Sequence, residues 1–317
     1  MYLADTDPKY KVSYPYFHKI FSCHFNLGFG TPATDTCSYC ERTKNKIKFA
    51  TNVDVKRGYQ RDLTIHKFRG KQFYLLMKDN PENTLNLCFD LQQVHNLPKL
   101  PIQEAYYSLQ LAFYAFCIVN VTTNVPTFYT WNETQSGRGS NEIGSAVFHF
   151  LKTAPIEGNI KKIRVFCDGC GGQNKNSHVL HMFMYWLYHH SPQSVDGIQL
   201  IFPVRGHSYL PADRIFGRIE KELRRHERII FPEDYVKFYS KVGSVREAGK
   251  DWDVYNLKSL LNTFKKFQGI SDKKRICIIK NKTSNNKKEI VAENCLLVRR
   301  WERIKLNNFV NGSVVYY

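Results

Sequence analysis

The sequence predicts an α/β domain built on a mixed sheet, and three observations support this prediction. Three strand patterns follow one another between residues 85 and 131 without a helix between them. A helical pattern from Ser140 comes next, and strand patterns at 163–167 and 197–202 are each followed by another helix. Consecutive strands form antiparallel meanders, whereas strands joined by helices lie parallel. The predicted order is therefore βββαβαβα.

The first half of this core has clear local signals. Residues 85–91 alternate apolar and polar side chains, 110–121 are rich in β-branched and aromatic residues, and 127–131 form a third strand. Ser140 is expected to N-cap a helix with an apolar stripe, which Pro155 ends.

A strand that ends in Asp168 is the most informative stretch of the chain. A glycine-rich turn at 169–172 follows it, and an apolar helix at 177–187 comes directly afterwards. A carboxylate at the carboxyl end of a core strand lies where α/β sheets bind ligands and metals. The alternative is that Asp168 only braces the turn. A last strand leads through 206–213 into a helix that carries Glu220.

This order of elements is that of a ribonuclease H-like (RNase H-like) fold, in which the first and fourth strands are neighbours. Asp90 and Asp168 would then lie side by side and repel each other unless cations neutralise them. Two divalent ions about 4 Å apart promote hydrolysis or transfer of phosphodiesters. Carboxylates suit Mg²⁺ or Mn²⁺. Asp213 is expected to be the third acid, with Glu220, two turns further along the same helix, as its rival.

Two further residues are candidates for the same site. Glu142, on the helix after the third strand, has the place of the additional acid of RNase H proper. His207 precedes Asp213 by six residues and could orient the water or the leaving group. The alternative for His207 is a buried histidine that holds a turn.

Residues 1–84 are predicted to form a separate N-terminal unit with a zinc site. Cys37 and Cys40 form a CxxC pair, and His66 follows on a helical stretch. Thiolates and imidazoles are the usual ligands of structural Zn²⁺. Cys23 is a candidate for the fourth ligand, and His18, His24 and Asp35 are alternatives. Without a metal, the same residues would be two core cysteines and a surface histidine.

The charge of the chain predicts a polyanionic partner, and DNA is the expected one. The net charge is +18 with a pI near 9.4. Between residues 265 and 305, thirteen Lys or Arg stand against four acids. Residues 85–234 are thus expected to form the catalytic-type domain. Residues 235–317 are expected to form a helical linker (237–267) and a small basic β-rich domain.

Composition also bears on the compartment. No run of about 18 apolar residues occurs, so neither a membrane span nor a signal peptide is expected. Nine scattered cysteines fit reduced thiols better than a disulfide framework. We therefore expect an intracellular protein, with self-association into a homo-oligomer left open.

Five motifs carry a resemblance to a known family. They are Asp-Thr-Cys-Ser-Tyr-Cys at 35–40, Phe-Asp-Leu-Gln at 89–92, Arg-Gly-Ser-Asn-Glu at 138–142, Asp-Gly-Cys-Gly-Gly-Gln-Asn-Lys-Asn at 168–176 and Gly-His-Ser-Tyr-Leu-Pro-Ala-Asp at 206–213. Over residues 12–230 the chain resembles an uncharacterised, transposon-derived family whose core is similar to that of DDE-type transposases and integrases. The resemblance implies an RNase H-like core, a metal-dependent acid triad and a location in the nucleus. A DNA-reading helix-turn-helix or zinc finger is missing before residue 12, as expected of a truncated or domesticated copy.

The leading hypothesis is a DNA nuclease or strand transferase that uses Asp90, Asp168 and Asp213 or Glu220. An RNase H-like exonuclease is the first alternative, but its first strand would carry Asp-x-Glu, and residue 92 is a glutamine. The second alternative is a domesticated transposase that binds DNA without cleaving it.

Overall fold

Two units make up the chain, residues 1–36 and residues 37–317. The computed structural model describes residues 12–25, 36–262, 266–280, 289–293 and 302–305. In the first unit it describes one helix, α1 (Tyr14–His24), which begins after Ser13 with a proline in its first turn. All other described elements belong to the second unit.

The helices and strands of the second unit follow one another along the chain. The helices are α2 (Ser38–Phe49), α3 (Val53–Lys78), α4 (Gln103–Tyr107), α5 (Ser140–Thr153), α6 (Ser177–His189), α7 (Pro211–Leu223) and α8 (Pro232–Ser240). The strands are β1 (Thr84–Leu91), β2 (His95–Leu97), β3 (Leu111–Asn120), β4 (Val125–Asn132), β5 (Lys162–Phe166), β6 (Gly197–Ile201), β7 (Ser244–Glu247), β8 (Arg275–Ile279), β9 (Glu289–Glu293) and β10 (Glu302–Lys305). Short 3₁₀ turns lie at Leu257–Asn262 and Ile270–Asp272.

The described strands form one mixed sheet. Their order is β10-β9-β8-β6-β5-β1-β3-β4-β7, and β2 pairs with β3. The pairs β1–β5, β5–β6 and β4–β7 are parallel, and the other pairs are antiparallel. The α/β class is therefore confirmed, as is the pairing of the first predicted strand (β1) with the fourth (β5).

Side-chain alternation along β1 separates two cores. Leu87 and Phe89 belong to the core that α5 and α6 cover, whereas Cys88 belongs to the core beneath α3, α7 and α8. Successive residues of a strand point to opposite faces. Asp90 therefore shares the face of Cys88, on which α7 packs.

The helix predicted to be apolar all round, α6, is indeed buried. Asn176 caps it by accepting a hydrogen bond from the Val179 N–H at 3.0 Å. Helix α5 begins at Ser140, but its N-cap is Gly139 and not Ser140. α5, α6 and the 3₁₀ turn at Leu257–Asn262 pack together on one side of the sheet.

The boundaries predicted at residues 84 and 234 do not coincide with the division at residue 36. Helices α2 and α3 belong to the unit that contains the sheet. The helical pattern predicted over 237–267 ends at Ser240, and β7 extends the sheet beside β4. Gly243 permits this approach, because a Cβ there would lie 2.5 Å from the Pro126 carbonyl oxygen.

The basic tail likewise continues the sheet and is not a separate β-domain over its described part. β8 pairs with β6, and β9 and β10 follow outward. Of the predicted basic β-rich domain, residues 281–288, 294–301 and 306–317 lie outside the described residues. Among the helices that the structure describes, none has the length and apolar character needed to cross a bilayer.

Candidate active site and metal centre

Asp90 and Asp168 lie at the same edge of the sheet because their strands run in parallel. Cys88 of β1 is paired with Phe166 of β5, so two residues further along each chain the two aspartates are level. On β1, the Asp90 side chain follows the alternation that points Cys88 into the core beneath α7. The two strands therefore end at the same edge, and the charge of Asp168 raises the pKa of Asp90.

Asp213, in the first turn of α7, is the third member of this group. Burial raises the pKa of the Asp90 carboxyl well above its ordinary value, and the negative charges of Asp168 and Asp213 raise it further. A hydrogen bond with Asp213 acts in the same direction, whereas the bond from the Leu91 N–H opposes it. Asp90 therefore interacts with both of the other aspartates, and we call the three residues the acid cluster.

Local hydrogen bonds hold Asp168 and Asp213 in place. Asp168 Oδ1 accepts from the Cys170 N–H at 3.1 Å and from the Asn174 side-chain amide. Asp213 Oδ2 accepts from the Leu210 N–H at 2.7 Å, which caps α7. The glycine-rich turn and the helix start thus orient two carboxylates towards the end of β1.

Glu220 lies on α7 as predicted but belongs to a different network. Its Oε1 accepts a hydrogen bond from the Gln92 side-chain amide at 2.8 Å and lies 3.6 Å from His95 Nε2. The Tyr239 hydroxyl donates to Gln92 Oε1 at 2.5 Å. Of the two rival acids, Asp213 is the one that acts on Asp90.

Both carboxylate oxygens of Glu142 serve the start of α5. Oε1 accepts from the Ser136 hydroxyl at 2.6 Å, and Oε2 accepts from the Gly139 N–H at 2.8 Å. The side chain is buried, and its helix packs on the other core of the sheet. Glu142 therefore caps α5. No interaction among the described residues joins it to the acid cluster.

Cys37, Cys40, His66 and His207 form a second group, which we call the Cys/His cluster. One ligand atom of each lies within 4.8 Å of the others. Cys37 Sγ is 3.2 Å from His66 Nε2, Cys40 Sγ is 3.5 Å from His207 Nε2, and the two Nε2 atoms are 3.1 Å apart. A tetrahedral ion with Zn–S near 2.3 Å and Zn–N near 2.0 Å would hold such atoms about 3.3–3.8 Å apart. The cluster therefore has the ligands and the spacing of a metal site.

The fourth member of the cluster differs from the sequence prediction. It is His207, which follows β6, and not Cys23, whose thiol is exposed on α1 in the first unit. His207 was predicted to orient a water or a leaving group at the acid cluster. The structure places its Nε2 among the Cys/His ligands instead.

Two glycines allow the four ligands to meet. Gly206 has a φ of +80°, and a Cβ there would lie 2.9 Å from Cys37 Sγ. A Cβ on Gly70 would lie 3.0 Å from the His207 ring. The glycine before His207 is thus a signal in the sequence for a close approach of the backbone.

Burial shifts the pKa values of three side chains of the Cys/His cluster. Burial raises the pKa of the Cys40 thiol, and the neighbouring Cys37 raises it further. Burial lowers the pKa of His66, and the charges of His207 and Arg69 lower it further. Burial also lowers the pKa of His207, and the charge of Lys67 adds to this effect. A bound cation would favour the thiolates and the neutral imidazoles.

We expect Gly206→Ala to weaken the Cys/His cluster. A left-handed conformation costs a non-glycine residue about 1–2 kcal/mol, and the added methyl group would also press on Cys37. The measurement is metal content after purification, together with Tm. Gly217→Ala on α7 is the control, since a Cβ there meets nothing within 4 Å. Equal metal content in wild type and Gly206→Ala would contradict this account.

Among the described residues, only the Cys/His cluster brings three or more potential metal ligands within 4.8 Å of one another. The three carboxylates of the acid cluster do not all meet this spacing.

Comparison with known proteins gave one match. Residues 110–295 match a family model described as a domain of unknown function (DUF7869). Neither the curated proteins nor the solved structures contain a match to the chain. The matched segment includes Asp168, Asp213 and His207, whereas Asp90, Cys37, Cys40 and His66 precede it.

Proposed function

Since the chain belongs to the DUF7869 family, whose function is not assigned, we propose its activity from the site: metal-dependent cleavage or transfer of DNA phosphodiesters. In this proposal Asp90, Asp168 and Asp213 hold Mg²⁺ or Mn²⁺. Bound ions would activate the attacking hydroxyl or water and stabilise the leaving oxygen. The role of the protein is to bring three carboxylates together and to bind the DNA backbone beside them.

The observation that carries the proposal is the effect of two neighbouring carboxylates on Asp90. Asp90 is half-buried, and its pKa is raised by burial and by Asp168 and Asp213. Without a cation, such an arrangement weakens the fold, because like charges are held together away from water. Divalent cations with oxygen ligands remove this cost. A buried carboxyl whose pKa is raised by two neighbouring carboxylates is typical of a functional site.

Cations beside the acid cluster support a polyanionic substrate. Burial lowers the pKa of Lys175, in the turn after Asp168, to about 8, and the charge of Lys274 lowers it further. Burial also lowers the pKa of Lys274, with Arg69 of α3 as the next cause. Lys175 is itself buried and donates to the Ser271 carbonyl, so the groups able to reach a phosphate backbone are the half-buried Lys274 and the exposed Arg69. The net charge of +18 agrees with this.

The topology supports the RNase H-like part of the proposal. The five strands that match the predicted core follow the spatial order β4-β3-β1-β5-β6. β1, β3 and β4 are antiparallel neighbours, and β1, β5 and β6 are parallel. We infer that this is the RNase H-like arrangement, with β2, β7 and β8–β10 as additions. The motif resemblance to transposases points in the same direction.

We further propose that the Cys/His cluster binds a structural Zn²⁺. Two thiolates and two imidazoles are a frequent tetrahedral set. The ion would tie α2 and α3 to the loop between β6 and α7, which contains His207 and leads to Asp213. Zinc would thereby support the position of the third acid. Nuclear location and self-association on DNA are part of the same transposase-like proposal.

Cleavage of labelled DNA with Mg²⁺ or Mn²⁺ tests the function directly. Asp168→Asn should lower the cleavage rate by more than about 100-fold, because losing a residue that only hydrogen-bonds to a metal ligand already lowers activity about 10- to 100-fold. Asp253→Asn is the matched control, because Asp253 is exposed and lies outside both clusters.

The outcomes separate the candidate functions. Equal cleavage by wild type and Asp168→Asn would refute the assignment. Salt-sensitive binding of DNA without cleavage by either protein would favour the non-catalytic DNA-binding protein. Cleavage only from free DNA ends would favour an exonuclease, although Gln92 is engaged with Glu220 and Tyr239.

A further inference from the structure

A cavity of about 480 Å³ lies between α3, the start of β1 and the start of α7. Its size is within the range of about 300–1,000 Å³ found for small-molecule sites. Its lining includes Tyr74, Lys78, Asn80, Asn86, Tyr209 and Arg214. None of them belongs to the acid cluster or the Cys/His cluster.

The cavity borders the acid cluster. Leu210 lines it and donates its N–H to Asp213 Oδ2 at 2.7 Å. Tyr74 also lines it, and the pKa of its hydroxyl is raised by burial and in part by the negative charge of Asp213. The Tyr209 N–H donates to the Tyr74 hydroxyl at 3.0 Å. A molecule in the cavity would therefore lie beside the third acid.

The mouth of the cavity offers positive charge and an aromatic face. Lys78 and Arg214 are both exposed, and Arg214 directly follows Asp213. Arginine and lysine at such positions are the usual partners of phosphate groups. The Tyr209 side chain is 54% exposed, so its ring is free to stack on another planar group.

Asn86 is a fixed part of the cavity wall. Its side chain is 1% exposed, and its Nδ2 donates to the Asp79 carbonyl at 3.0 Å and to Asn80 Oδ1 at 3.2 Å. These two bonds fix the orientation of the amide. Oδ1 is buried and has no hydrogen-bond partner among the described residues. Because Oδ1 has no exposed surface, Asn86 shapes the wall of the cavity and offers no acceptor to its interior.

We propose that this cavity receives one nucleotide of the DNA substrate, next to the scissile phosphodiester. Arg214 and Lys78 contact its phosphate, and Tyr209 stacks on its base. This inference rests on the proposed function, because it assigns the nucleotide to the strand that the acid cluster cleaves. The combination of a cationic rim and a tyrosine face matches a nucleoside monophosphate.

The test is direct binding of 2′-deoxyadenosine 5′-monophosphate to the full chain in buffer without divalent ions. Inorganic phosphate and deoxyadenosine are the two partial probes, and each should bind at least about 10-fold more weakly, since each lacks one of the two recognised groups. Arg214→Gln and Tyr209→Ala should each weaken binding of the nucleotide about 10-fold. Arg218→Gln is the matched control, exposed on the same helix and outside the cavity lining.

Asp168→Asn separates this proposal from the proposed function. It removes a carboxylate of the acid cluster but no residue of the cavity, so it should bind the nucleotide as wild type does. Binding that is no tighter than that of phosphate, or that Arg214→Gln and Tyr209→Ala leave unchanged, would overturn the nucleotide site and leave the nuclease proposal standing. Nucleotide binding without DNA cleavage would overturn the nuclease proposal alone.

Discussion

Cys40→Ser is expected to abolish binding of one zinc ion per chain and to lower Tm by about 8 °C or more. A ligand at 1,000 times its Kd stabilises the folded state by about 4 kcal/mol. One kcal/mol corresponds to about 2–4 °C in chains of 150–250 residues. The measurements are zinc content after purification without chelators and a thermal unfolding curve.

The size of this effect follows from where the ligands come from. Cys37 and Cys40 lie at the start of α2, His66 lies in the middle of α3, and His207 lies in the loop before α7. Many side chains on the outer surface of α3 are exposed, among them Ile65 and Phe68. These helices therefore depend on Phe73 and Met77 of the core and on the Cys/His cluster for attachment.

Two variants distinguish His207 from Cys23 as the fourth ligand. His207→Gln should lose zinc as Cys40→Ser does. Cys23→Ser, in the first unit, should retain one ion and an unchanged Tm. Loss of zinc in Cys23→Ser together with retention in His207→Gln would contradict the cluster seen in the structure.

The core and two of its aspartates were predictable because strand patterns are local. Asp90 and Asp168 each end an apolar run, and a parallel register between their strands places them level. Asp213 followed from its place in a first helical turn. Glu220 was a rival because it lies on the same helix, and only the contact with Gln92 separates it from the acid cluster.

The fourth member of the Cys/His cluster was not predictable from spacing. His207 lies 141 residues after His66 along the chain. The two meet because the loop after β6 passes over α3 at Gly70. That approach is a property of the tertiary structure, and the sequence hints at it only through the glycine before His207.

The tail was mispredicted because its partners are distant. Residues 244–247 pair with β4, more than a hundred residues earlier, and this pairing overrides a weak helical pattern. A β-rich tail was predicted, but the pairing of residues 275–279 with β6 was not. A periodic pattern identifies a strand without showing which sheet it joins.

Asp90→Asn is expected to stabilise the protein in metal-free buffer near neutral pH, by roughly 2–4 °C in Tm, the shift for about 1 kcal/mol. In the unfolded chain an aspartate ionises near pH 3.9. In the folded chain burial, Asp168 and Asp213 raise the pKa of Asp90 well above that value. Folding therefore takes up a proton between the two pKa values, and stability is lost as pH rises through this window. An uncharged amide removes that loss and keeps an oxygen that can accept from the Leu91 N–H.

Divalent ions should reverse the order of the two proteins. Mg²⁺ or Mn²⁺ neutralises the acid cluster of the wild type and raises its Tm, whereas Asp90→Asn offers fewer carboxylates and should respond little. Asp253→Asn should behave as wild type with and without the ions. If Asp90→Asn lowered Tm in metal-free buffer, or if both proteins gained equally from the ions, Asp90 would be a structural carboxyl. Stabilisation by neutralising Asp90, whether through substitution or through a bound metal, is the behaviour expected of a metal ligand.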